Sequence, residues 1–111
     1  MSLWDQINTA ENSNEAVTNE KHLPIISVED IGNNRHKVTV DVGGGKHPNE
    51  IDHWIQWVEV QINGMYIGRA EFSARIMEPA AEFTVIGASG NTVSAVGRCN
   101  KHGLWRTDIN C

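Results

Sequence analysis

Basic residues are scarce in this chain: 9 Lys and Arg stand against 14 Asp and Glu, leaving a formal net charge of −5. Binding nucleic acid requires clustered cations that displace counterions from phosphate, so no nucleic-acid partner is expected. Cysteine is scarcer still, with Cys99 and Cys111 alone. A disulfide framework is thereby excluded, which leaves one bridge or two free thiols. No apolar run approaches the roughly 20 residues of a membrane-spanning helix, and Asp5, Glu11 and Glu15 interrupt the stretch where a secretory leader needs an unbroken apolar core. The expectations are no membrane contact and a cytoplasmic location. After residue 20 there is no helix-period pattern of useful length, no internal repeat and no low-complexity tract. With 111 residues and 40% apolar composition, the chain has material for one small core and one domain.

The residues that are present read as strands. Ile25-Ile26-Ser27-Val28 and the strictly alternating Val38-Thr39-Val40-Asp41-Val42 precede a break at Gly43-Gly44-Gly45. Val58, Val60 and Ile62 alternate with Glu59 and Gln61 and lead into Asn63-Gly64, a pair that readily takes positive φ in a two-residue hairpin turn, so Met65 to Phe72 should return antiparallel. Ala81, Phe83 and Val85 form another alternating set. Ser89-Gly90-Asn91 then supplies a turn before Val93, Ala95, Gly97 and Cys99, which share one face. The pattern predicts an all-β, antiparallel sandwich of about seven strands. Residues 1–19 form a short N-terminal arm in this reading, with a turn or two of docked helix from the spacing of Leu3, Trp4 and Ile7; residues 20–111 form the domain.

The chemistry-bearing residues fall in three separated stretches: Glu20-Lys21-His22, then His47-Pro48-Asn49-Glu50-Ile51-Asp52-His53, then Cys99-Asn100-Lys101-His102-Gly103-Leu104-Trp105. Together they offer four imidazoles and one thiolate, a donor set that suits a borderline transition ion such as iron better than calcium or magnesium, which prefer oxygen. Gly43 to Lys46 can bring His47 back over the end of the sandwich, and Cys99 and His102 can converge from one tight turn. Structural zinc sites gather cysteine-rich quartets, and five candidate donors exceed a tetrahedral need. Blue copper expects a weak axial ligand, often Met, and none follows His102. His36, between Arg35 and Lys37, reads as a solvated strand residue, and Cys111 as a mobile terminal thiol.

These stretches, with Leu23-Pro24 and Arg69-Ala70-Glu71-Phe72, resemble the superoxide reductase family, the neelaredoxin and desulfoferrodoxin iron proteins, over roughly residues 20–106. The cysteine-rich, rubredoxin-like stretch of desulfoferrodoxin has no counterpart here, so the resemblance is to the one-iron type. Trp54, Arg98, Lys101 and the short segment from Ala74 to Pro79 depart from the family pattern without removing a ligand. The fold that the resemblance implies is an immunoglobulin-like sandwich, in agreement with the strand pattern. It further implies one mononuclear iron per chain held by His22, His47, His53 and His102 as equatorial nitrogens and by Cys99 as the axial thiolate. In the family a glutamate matching Glu20 can occupy the open position of the oxidised site, and a lysine matching Lys21 attracts superoxide.

The implied activity is one-electron reduction of superoxide to hydrogen peroxide, with rubredoxin or another small electron-transfer protein restoring the iron. Four neutral imidazoles and one thiolate leave ferrous iron a formal charge of +1, enough to draw an anion locally within an acidic protein. Lys46 and Lys101, each beside a ligand, would extend a cationic rim. The donor could contact that rim or Trp105, for which local packing is the preferred role. One-iron relatives imply a homo-oligomer, a homotetramer among them. The competing readings are a non-catalytic iron-binding or diatomic-ligand-sensing module, and a superoxide dismutase.

Overall fold

The alternation in Val38, Val40 and Val42 carries through to the core: all three side chains are fully buried, whereas Thr39 and Asp41 between them are half-buried. The computed structural model describes residues 7–9 and 21–111. Among these residues the strands are β1 (Ile7–Asn8), β2 (Pro24–Gly32), β3 (Arg35–Val42), β4 (Ile55–Ile62), β5 (Met65–Glu71), β6 (Ala80–Ile86), β7 (Thr92–Cys99) and β8 (Gly103–Asn110). One sheet has the order β2-β3-β6 and the other β1-β8-β7-β4-β5. Only β1 pairs in parallel, with β8; the other pairings are antiparallel. This is the all-β immunoglobulin-like sandwich expected from the sequence.

Val58 and Val60 on β4 and Val93 and Ala95 on β7 join the β3 valines in a core with no solvent exposure. Burying each valine contributes about 1.5–3 kcal/mol, so this layer is the main force joining the sheets. Gly97 on β7 lets them close tightly at one end, because a Cβ there would stand 3.2 Å from Val42 Cγ2. Asn63 and Gly64 take φ of 50° and 81° and turn β4 into β5, as their sequence predicted.

Three features differ from the expectation. First, β2 and β3 run beyond their apolar stretches to a hairpin at Asn33 and Asn34, with φ of 56° and 61°; residues 29–35 there are exposed, so burial left no alternation to read. Second, of the proposed helical spacing only Ile7 lies within the described residues, where it begins β1; Leu3 and Trp4 lie outside them. Third, His36 is not solvated. It is 6% exposed, with Nε2 3.3 Å from Ser89 Oγ, because β3 turns it toward the Ser89 loop.

The sheet registers sort the molecule into two ends. Asn33-Asn34, Asn63-Gly64, Ser89-Gly90 and Cys111 gather at one, joined by Gly87 N–H to Asn34 O, Asn63 N–H to Thr92 O and Gly90 N–H to Cys111 O. At the other, Pro24 pairs with Val42, Ile55 with Cys99, and Cys99 with Gly103. All three chemistry-bearing stretches therefore meet at this second end.

Candidate metal centre

The chain reaches this end through a glycine turn. Gly43–Gly45 form a tight turn, closed by Lys46 N–H donating to Gly43 O at 3.0 Å, in which all three φ angles are positive, at 75°, 57° and 85°. Gly43 donates its N–H to Leu23 O at 3.0 Å. A Cβ on Gly43 would collide with the Lys21 carbonyl and stand 3.3 Å from His47 Cβ. The absence of a side chain thus sets the 21–23 backbone directly against the start of the His47 loop, bringing His22 and His47 together with ring centroids 4.7 Å apart.

His47 is 7% exposed. Its Nδ1–H donates to the Pro48 carbonyl at 2.6 Å, which leaves Nε2 as the lone-pair nitrogen, 3.2 Å from Cys99 Sγ. Its pKa is lowered to about 4, chiefly by burial; the Pro48 bond partly offsets this, and the charges of His22, His53 and His102 contribute to the lowering. His53 is also shifted down, by burial first and then by the charges of His102 and Lys101, with Asp52 opposing and Lys21 adding to the effect. Both shifts favour the neutral ring, the form that binds a metal.

His22 is 2% exposed and stacks on Trp105, with ring centroids 4.8 Å apart and planes 19° apart. Its Nε2 lies 3.1 Å from His102 Nδ1, which in turn lies 3.6 Å from Cys99 Sγ. The His53 ring lies against those of His47 and His102, at 4.8 and 5.1 Å, and its Nε2 is buried without a hydrogen-bond partner. One donor atom from each of His22, His47, His53 and Cys99 lies within 4.8 Å of the others.

This arrangement fits a metal ion. Two nitrogens about 2.1 Å from one ion, at right angles to each other, are about 3.0 Å apart; a nitrogen and a thiolate sulfur are about 3.1 Å apart. The His22–His102 and His47–Cys99 separations of 3.1 and 3.2 Å match those spacings. The buried, unpartnered His53 nitrogen gains a partner only if something occupies the space between the rings.

Lys21 is partly buried beside His22, and Lys46 and Lys101 are exposed. Glu20 lies outside the described residues. Both cysteines are free thiols, Cys99 buried and Cys111 exposed. The backbone of Cys111 is held by Gly90 N–H and Asn91 O, so the tail is tied down there. Trp105 is only 3% exposed, so the local-packing role holds and donor contact through this ring does not. Asn100 N–H, next in the chain to Cys99, donates to Trp54 O.

Sequence reasoning missed the groups that orient the ligands. Trp105 Nε1–H donates to His102 O at 3.1 Å, and Asn8 Nδ2–H donates to Leu104 O at 3.0 Å. Asn100 is a third, its side chain accepting from Trp54 N–H and donating to Asp52 O, and its place between Cys99 and His102 was the only sequence signal for it.

The desulfoferrodoxin family model matches residues 14–108. The chain is 44% identical over 88 residues to a desulfoferrodoxin homolog of Archaeoglobus fulgidus, covering 79% of this chain and 62% of that protein's length. It is 35% identical over 102 residues to a superoxide reductase of Pyrococcus horikoshii, covering 81% and 86%. Among solved structures, a superoxide reductase (neelaredoxin) from Ignicoccus hospitalis superposes with a TM-score of 0.83 at 30% identity, covering 99% of this chain and 98% of that one.

Proposed function

The chain belongs to the desulfoferrodoxin family, and from that premise we propose that it is a superoxide reductase, carrying one mononuclear iron on His22, His47, His53, His102 and Cys99. The observation that carries this reading is the convergence of His22, His47, His53 and Cys99 from three separated stretches, with the more exposed His102 bringing Nδ1 to 3.1 Å from His22 Nε2 and with His47 poised in the metal-binding tautomer. The balanced reaction joins one superoxide, one electron and two protons to give one hydrogen peroxide. When bound, iron would supply the electron.

The protein's own groups prepare that step. Burial favours the neutral, metal-binding form of the His47 and His53 rings, and Cys99 is the donor that would bring negative charge when bound to the metal. Lys21 and Lys101 both place positive charge where His53 senses it. At physiological salt the Debye length is about 8 Å, which screens distant carboxylates and leaves these ammonium groups effective. Lys21 would draw in the anion and hold proton-bearing water beside it. Glu20, its neighbour in the chain, is assigned the closing of the site between turnovers on the family pattern alone.

Rubredoxin or another small electron-transfer protein is the proposed donor. The two free thiols favour a reducing, cytoplasmic setting. Exposed Met65 and Ile86, in a groove also lined by Ile62, Ile67 and Phe83, favour a homo-oligomer. Among the described residues no helix is long and apolar enough to cross a membrane.

The deciding experiment is anaerobic iron loading, metal analysis and pulse-generated superoxide with a reduced donor present. One peroxide per superoxide, with donor consumed, is expected. Oxygen release with half that peroxide identifies a dismutase, and binding without turnover identifies a sensing module. Lys21→Ala should slow the bimolecular step about tenfold at low salt and flatten its ionic-strength dependence. An unchanged rate there removes Lys21 from the mechanism.

A further inference from the structure

The candidate ligands are held in different ways. His47 is fixed by its own bond to Pro48, His22 by stacking on Trp105, and the His102 carbonyl by the Trp105 indole N–H. The His53 Nε2 has no partner among the described residues and its ring packs only against His47 and His102, themselves candidate ligands, so the backbone on either side is its anchorage independent of the site. That backbone is held in two places. Behind His53, the Glu50 and His53 main chains exchange N–H···O bonds of 2.9 and 3.1 Å. In front, one side chain brackets the position: Asn100 Oδ1 accepts from Trp54 N–H at 3.0 Å, and Asn100 Nδ2–H donates to Asp52 O at 2.8 Å. The Asn100 main-chain N–H completes the clamp by donating to Trp54 O at 3.3 Å.

We infer that Asn100 is a positioning residue that fixes His53 relative to Cys99. It follows Cys99 directly in the chain and grips the residues immediately before and after His53, so a single side chain spans the thiolate and this imidazole. An amide suits the position because it must accept from one backbone group and donate to another. Alanine does neither, and aspartate accepts from Trp54 N–H but sets a carboxylate oxygen against the Asp52 carbonyl. The inference rests on the reading that His53 and Cys99 share one iron.

The test uses the iron-loaded, full-length protein. Asn100→Ala is expected to release ferrous iron to a chelator about 10- to 100-fold faster, the usual consequence of losing a group that orients a metal ligand. It should also shift the sulfur-to-iron absorption band of the oxidised protein and its midpoint potential. Asn63 is the control. It makes a similar two-pronged contact at the opposite end, accepting from Thr92 N–H at 2.9 Å and donating to Asn91 Oδ1 at 2.9 Å. Asn63→Ala should lower the melting temperature while leaving band and potential in place.

Asn100→Asp keeps half of the clamp. It should fall between wild type and alanine, and it carries the test if Asn100→Ala does not fold. Release rates that follow thermal stability equally in the Asn63 and Asn100 variants, or an unmoved band and potential in the Asn100 variants, overturn the inference. Wild-type protein that takes up no iron overturns the metal-centre reading beneath it.

Discussion

Replacing Cys99 with Ser is expected to abolish the sulfur-to-iron absorption band and to lower superoxide reduction about a hundredfold or more. Groups that merely orient ligands are worth about 10- to 100-fold, and Cys99 is itself the proposed anionic ligand, so its loss should reach at least the upper end of that range. A serine hydroxyl stays protonated at neutral pH and would leave four neutral rings with no compensating charge. The substitution should not unfold the protein. The hydroxyl would enter a fully buried site, but His47 Nε2, now 3.2 Å from the sulfur, can serve as its partner. Spectra of anaerobically loaded and then oxidised protein, followed by pulsed superoxide, provide the check. A retained band would remove Cys99 from the coordination sphere.

Gly43→Ala should produce the largest loss of stability, about 3 kcal/mol or more. Holding alanine at a φ of 75° costs about 1–2 kcal/mol by itself. The new methyl would also meet the Lys21 carbonyl, a backbone atom that cannot rotate away. Gly45→Ala isolates the two contributions. Gly45 has a similar φ of 85° and no atom within 4 Å of its would-be Cβ, so only the conformational cost should appear. Denaturant midpoints at a constant slope would measure both variants. Equal losses would show that the approach of residue 21 to residue 43 contributes nothing. Because that contact seats His22 beside His47, Gly43→Ala should also loosen iron, and Gly45→Ala should not.

Strands were legible wherever burial imposed a period of two, as in Val38 to Val42 and Val58 to Ile62. They were illegible where a hairpin leaves the core. Glu29 to Arg35 is exposed and shows no alternation, so the extension of β2 and β3 could not be read. β8 does alternate, Trp105, Thr107 and Ile109 against Arg106 and Asp108, but only two apolar residues mark its inner face, so the period went unread. The five candidate donors could be read because histidine and cysteine are rare here and cluster in the chain. What orients them could not be, since Pro48 acts through its carbonyl and Gly43 through a missing methyl. Asn8 reaches the His102 turn across most of the chain length, a contact created by the β1–β8 pairing. His36 shows the reverse error: charged neighbours in sequence said nothing about the Ser89 loop that covers it.

The separation of the sandwich into two ends has a practical consequence. Cys111 is an exposed thiol at the end where the hairpin turns gather, and Cys99 is sealed at the other. A maleimide linker would therefore couple at Cys111 alone and anchor every molecule to an electrode in the same attitude, with its imidazole face turned toward the bulk solution.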